Sequence, residues 1–227
     1  MFPGDKGEFF GVIFVFHSVI TFERKNLSLL INFFNKMSNF KDKESLMVLS
    51  FVKDSTNHFD ESHNWQHALK VAENAIKILN RRDVFYLALL HDVCDHKYPE
   101  SIPRTELSDF IHNNLKKYSY IDEMIDKVSF SYHKKNKEEK VSPILEAVRD
   151  ADKLEALGEE GIKRLELYSQ RIGRDRNEAI QHCFDKLLRL VPEGYVVNIT
   201  PQFIEAHNKI VNYVNQYNES KVDYIKF

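Results

Sequence analysis

Seven of the ten histidines lie between His58 and His133, and two of these have spacings that could do chemistry. His63 and His67, in SHNWQHALKV, are four apart, so on a helix both project from one face. His67 is also four before Val71, at the edge of an apolar stripe. Further on, the apolar run VFYLALL ends at Leu90 and is followed at once by His91-Asp92. A carboxylate at the end of a buried element needs a cation or several donors, because burying it unpaired is costly. Leu145, Val148 and Asp152, the last in AVRDADKLEALG, are separated successively by three and four, so Asp152 shares the inward face of the two apolar residues. Asp150 points elsewhere and is expected to be solvated or ion-paired. Two imidazoles and two carboxylates facing inward suit a mid-series divalent ion, Mn²⁺ first, with Fe²⁺, Co²⁺ and Ni²⁺ close behind. Zn²⁺ is compatible, and Mg²⁺ less so because it prefers an all-oxygen shell. Taken one at a time, each histidine also fits a helix cap or a core position bonded to a carbonyl, and His91-Asp92 fits a capping pair.

The elements that must position these groups read as helices. Leu46, Leu49 and Val52 form one apolar stripe. Ala68, Val71, Ala72, Ala75 and Leu79 form another, in a segment that should open near Asp60–Ser62. Val84–Leu90 is apolar on all sides and rich in Leu and Ala, which favours a buried helix over a buried strand. Ser142-Pro143 and Thr200-Pro201 are each an N-cap followed by proline at the first helical position. The helix after Ser142 carries Ile144, Leu145 and Val148 inward and is punctuated by Gly158 and Gly161, and the one after Thr200 carries Ile204, Val211 and Val214. With no internal repeat and no Ser/Gly linker, the expectation is an all-α chain.

In the order histidine, distant His-Asp doublet, distant aspartate, the sequence resembles the HD-domain metal-dependent phosphohydrolases, closest to their small stand-alone bacterial-type members. The matching positions are His67 in HALKV, His91 and Asp92 in LLHDVCDHKYP, and Asp152 in RDADKLEALGEEGIKR. The likeness extends to SFSYH around His133 and HCFDKLLRL around Lys186, and covers roughly residues 58–215. It implies a single helical bundle of about seven to nine helices, with one divalent ion held by His67, His91, Asp92 and Asp152. Branches of the family that hold two ions carry further histidines between doublet and final aspartate, where this chain has only His133 well placed. The resemblance also implies that Asp92 orients the attacking water. It makes Asp95 a candidate general acid or base, one helical turn after Asp92, although the relatives in question carry glutamate there. His63, Lys97, His133 and Lys153 are the expected substrate contacts, with a solvated charge as the plain alternative for Lys97 and Lys153. Arg171, Arg174 and Arg176 form a basic loop that reads first as ordinary surface and second as a grip on a triphosphate.

Composition narrows the partner. The 32 Lys+Arg against 34 Asp+Glu give a formal charge of −2, which calls for neither a nucleic-acid backbone nor an anionic membrane. Two cysteines, Cys94 and Cys183, are too few for a disulfide framework or a zinc ribbon and fit a reducing, cytoplasmic setting. The apolar run Phe9–Phe16 is broken by His17 and Ser18, short of the roughly 20 residues of a membrane span, and is a poor signal peptide. Met37 reads as the natural start, giving an N-terminal extension over 1–36 and a phosphohydrolase domain over 37–227. The expected activity is hydrolysis of a small phosphorylated molecule, a nucleotide first, by metal-activated water. The alternative is a catalytically silent, metal-containing module that binds or senses a nucleotide. Oligomerisation is compatible with either.

Overall fold

The computed structural model describes residues 40–60, 62–217 and 222–225. The extension over 1–36 and the start at Met37 lie outside these residues. The compact unit holding every residue of the site runs Val48–Phe227; of the unit that ends at Met47, only 40–47 is described. Among the described residues there are ten α-helices and no strand, as the helical periodicity requires. They are α1 (Lys43–Thr56), α2 (Trp65–Ile78), α3 (Arg82–Leu90), α4 (Arg104–Asn114), α5 (Asp122–Ile125), α6 (Phe130–Lys135), α7 (Pro143–Glu155), α8 (Gly158–Arg171), α9 (Arg176–Asp185) and α10 (Pro201–Tyr217). No described helix is long and apolar enough to cross a membrane.

The centre of the fold is the trio α2, α3 and α7, each packed on the other two. Alanines at 68, 72 and 75 keep the inner face of α2 narrow, so its neighbours approach closely. The α3 helix is buried from Asp83 to Leu90 and lies at the heart of the bundle. Each of its large apolar side chains contributes about 1.5–3 kcal/mol by leaving water. The cap signals are as read: Leu145 N–H donates to Ser142 Oγ at 3.3 Å, and Phe203 N–H to Thr200 Oγ1 at 3.4 Å. A second cluster, including Leu165, Cys183, Leu187, Phe203 and Ile210, joins α8, α9 and α10 beside the trio.

Three local readings are corrected. The buried line of α1 runs through Ser45, Val48, Val52 and Ser55, while Leu46 and Leu49 sit half-buried on its flank. The helix expected to open near Asp60–Ser62 opens at Trp65, because Asn64 caps it: its side chain accepts from Gln66 N–H at 2.9 Å, and its ψ of 179° is extended. Asp150 is not solvated. It is 1% exposed, and its carboxylate accepts from Asn198 N–H at 2.7 Å, Asn198 Nδ2 at 2.9 Å and Val197 N–H at 3.2 Å, tying the approach to α10 onto α7.

Candidate metal centre

Each element of the trio contributes to one point. α2 brings His67, which is 3% exposed. The end of α3 brings His91, which follows Leu90 as the helix C-cap and whose Nδ1 lies 2.7 Å from the carbonyl of Ala88. A carbonyl can only accept, so Nδ1 carries the proton of the neutral ring and Nε2 presents a lone pair. The final turns of α7 bring Asp152. Donor atoms of His67, His91 and Asp152 lie within 4.8 Å of one another. His67 Nε2 is 3.5 Å from both Asp92 Oδ2 and Asp152 Oδ1, and His91 Nε2 is 3.2 Å and 3.8 Å from the same two oxygens.

These residues fit a divalent ion. His91 Nε2 is buried without a hydrogen-bond partner although two carboxylates face it. Ligands about 2.1 Å from a common centre are themselves about 3–3.5 Å apart when adjacent, which is close to the spacing of this set. Without an ion, burial disfavours a charge on His91, but the Asp92 and Asp152 carboxylates overcome it and hold the ring's proton affinity well above the usual imidazole range. Burial likewise opposes the charges on Asp92 and Asp152, and the facing imidazoles, His91 chiefly for Asp92 and His67 with His91 for Asp152, hold both carboxyls far below their usual range. His67, buried and beside the Arg164 guanidinium, is pushed down to about 4.

A cavity adjoins this cluster, walled by His63, Lys97, Arg164, Tyr168, Arg174 and Lys186. Arg164 Nη2 lies 3.3 Å from His67 Nε2, which links the cavity wall to the ligand set. Burial lowers the Lys186 ammonium, with Asp152 the largest opposing influence.

The expected substrate residues divide. His63 and Lys97 line the cavity. His63 is not on α2 but precedes its cap; its ring still comes within 6.2 Å of the His67 ring, centroid to centroid. Burial, aided by Lys97 and Arg164 and opposed by Asp92, pushes His63 down to about 2. His133 and Lys153 are not among the cavity walls. The His133 ring meets Tyr195 edge-on at 5.3 Å, and burial with the Lys153, Arg149 and Lys137 cations pushes it down to about 4. Lys153 is 2% exposed, not solvated; its Nζ donates to the Arg149 carbonyl at 3.1 Å, and burial lowers it to about 8. Asp95 lies not one helical turn beyond Asp92 but in a tight turn after α3 has ended, its N–H donating to the Asp92 carbonyl at 3.1 Å. Of the basic loop, Arg171 pairs with Asp60 at 2.9 Å and lies 4.0 Å over the Tyr98 ring, Arg176 lies over Tyr217, and Arg174 reaches the cavity.

Arg164, Tyr168 and His182 also face the cavity and do not follow from the metal-site motif. A signal for the first two exists: Arg164, Leu165 and Tyr168 follow Gly161 by three, four and seven, so the four form one face of α8, and all four are cavity walls.

No family model matches the chain. It is 29% identical over 190 aligned residues to the uncharacterized protein YpgQ of Bacillus subtilis, covering 77% of this chain and 92% of that protein. A crystal structure of YpgQ in complex with ADP superimposes with a TM-score of 0.58 at 25% identity, over 77% of this chain and 93% of that one. An HD-superfamily hydrolase of Bacillus thuringiensis superimposes with a TM-score of 0.53 at 24% identity, over 75% of this chain and 93% of its own. At the level of the fold the resemblance drawn from the motifs is borne out: this chain has the HD-domain fold.

Proposed function

We propose that the protein is a divalent-metal-dependent phosphohydrolase acting on a nucleotide. The observation that carries this reading is the meeting of His67, His91 and Asp152 within 4.8 Å, beside a cavity walled by Lys97, Arg164, Arg174 and Lys186. The ligand set is anionic through its carboxylates, whereas the adjoining wall is cationic, as a metal-bound phosphate ester or anhydride requires. The ADP bound to YpgQ supports a nucleotide as the class of substrate.

His67, His91, Asp92 and Asp152 would hold the ion, which when bound lowers the pKa of water toward neutrality and polarises a phosphoryl oxygen. The chain does the rest. Asp92, placed between His67 and His91, accepts a hydrogen bond from the attacking water and orients it. Lys97, Arg164 and Lys186 donate to phosphate oxygens and offset the charge that develops on them. Asp95, on the Lys97 side of the site, exchanges the proton of the water or the leaving group. His63 fixes the Lys97 ammonium and contacts the substrate. Lys153, bonded back to the Arg149 carbonyl within α7, and His133, packed on Tyr195, stand outside the cavity walls.

A panel of nucleotides with Mn²⁺, followed by identification of the released phosphate species, tests the reaction and names the bond. The Asp92→Ala variant is expected to lose its metal and at least about 100-fold of turnover, since the residue both binds and orients. Undiminished hydrolysis by purified Asp92→Ala protein would sink the proposal. Nucleotide-dependent stabilisation with no product under any metal would instead identify a binding module.

A further inference from the structure

Asp92 belongs to two constellations. Beside the set with His67, His91 and Asp152, its carboxylate also lies within 4.8 Å of donor atoms of His63 and Asp95. That second set offers one imidazole nitrogen and two carboxylates, the same donor types as the first. His63 Nε2 and Asp95 Oδ2 are 3.8 Å apart. The His63 ring is aimed at this point from the other side, because its Nδ1 is engaged by Ser62 Oγ at 2.6 Å and Tyr98 Oη at 2.9 Å. Two ions sharing one carboxylate at about 3.5–4 Å is the arrangement of two-metal phosphoryl-transfer centres.

The second position already has a cation close by. Lys97 Nζ donates to Asp95 Oδ2 at 2.9 Å and lies 3.2 Å from His63 Nε2, so the ammonium engages two of the three donors. Its place is set by the backbone: Lys97 N–H donates to Asp95 Oδ1 at 3.0 Å, turning the lysine stem back over the aspartate two residues before it. An ammonium has three donors and no acceptor. It therefore satisfies His63 and Asp95 while denying them to a metal.

We infer that the Lys97 ammonium stands in for a second divalent cation, closing a latent site formed by His63, Asp92 and Asp95 and fixing the centre at one metal per chain. This inference rests on the metal reading proposed above and adds to it a determinant of metal stoichiometry. A lysine in this position supplies one charge and directional donors to the phosphate without a second water-activating ion.

Metal content tests it directly. Purified full-length protein is loaded with Mn²⁺, desalted and assayed for manganese per chain, and Mn–Mn coupling is sought by electron paramagnetic resonance. Wild type is expected to hold one ion. Lys97→Ala, or Lys97→Gln where the stem is needed for folding, is expected to hold two coupled ions. Lys97→Arg, or Asp95→Asn added to the opened variant, is expected to return the count to one. A single ion or none in both the Ala and Gln variants, or two ions in wild type, overturns the inference. If wild type binds one ion and both variants bind one, the metal reading stands and only this inference fails; a wild-type chain that binds none overturns both.

Discussion

His91 shows how one side chain can be committed by its own helix. The Ala88 carbonyl accepts the hydrogen bond from Nδ1–H, and Nε2 is left facing Asp92 and Asp152 with nothing else to bond. Away from the centre, Asp60 plays a different part. It accepts from Ser62 Oγ, from Ser62 N–H at 2.8 Å and from Arg171 at 2.9 Å, and so clips the end of α8 to the turn that carries His63. Burial raises the Asp60 pKa, but these donors outweigh it and bring the carboxyl down to about 2. A carboxyl depressed in the folded state stabilises the fold above its unfolded pKa of about 3.9 and loses that contribution as pH falls through the folded value. Arg171→Ala is therefore expected to cost about 0.5–1 kcal/mol near pH 6, a modest figure because the pair is partly solvated. The gap to wild type should narrow as pH falls from about 4 toward 2. Urea unfolding of both proteins across this range checks it, and a gap that does not change with pH contradicts the assignment.

At the scale of elements, the helix carrying Arg164 and Tyr168 reaches the cavity because of one glycine. A Cβ on Gly161 would come within 2.2 Å of the Ala156 carbonyl oxygen and 2.4 Å of its carbon, so the link between α7 and α8 can be this short only without a side chain there. Gly161→Ala is expected to force that backbone apart, lowering stability by about 1–3 kcal/mol and drawing Arg164 away from His67. Thermal unfolding and the nucleotide KM read the two effects; an unshifted melting temperature would show that the link can yield. Much at this scale was legible in the sequence. Ser142-Pro143, Thr200-Pro201 and the wholly apolar Val84–Leu90 each specify their helix through local chemistry. The start of α2 was not, because Asp60 through Asn64 offer several capping side chains, and which one caps depends on where Asp60 is held by Arg171.

For the whole molecule, the formal charge of −2 conceals a sorting of charge. Carboxylates gather around His67 and His91 and cations along the adjoining wall, so the site is locally suited to both a cation and a polyanion. Binding to the folded state alone stabilises it by mass action, about 2.7 kcal/mol at a hundredfold excess over Kd. Mn²⁺ is therefore expected to raise the melting temperature by several degrees and a chelator to reverse it, whereas His91→Ala protein should not respond. Differential scanning fluorimetry decides this, and an equal shift in the variant would place the ion elsewhere. The sequence by itself determined the helical class, the caps at Ser142 and Thr200 and the ordered set His67, His91-Asp92 and Asp152, because periodicity, capping and residue type are local properties. Only the tertiary structure decided that Arg164, Tyr168 and Lys186 share a cavity with His63, that His133 and Lys153 stand outside its walls, and that Lys97 folds back onto Asp95. Those outcomes depend on how α7, α8 and α9 pack and on the path of the turn after α3, so they follow from distances between residues far apart in the chain or from backbone geometry that residue spacing does not encode.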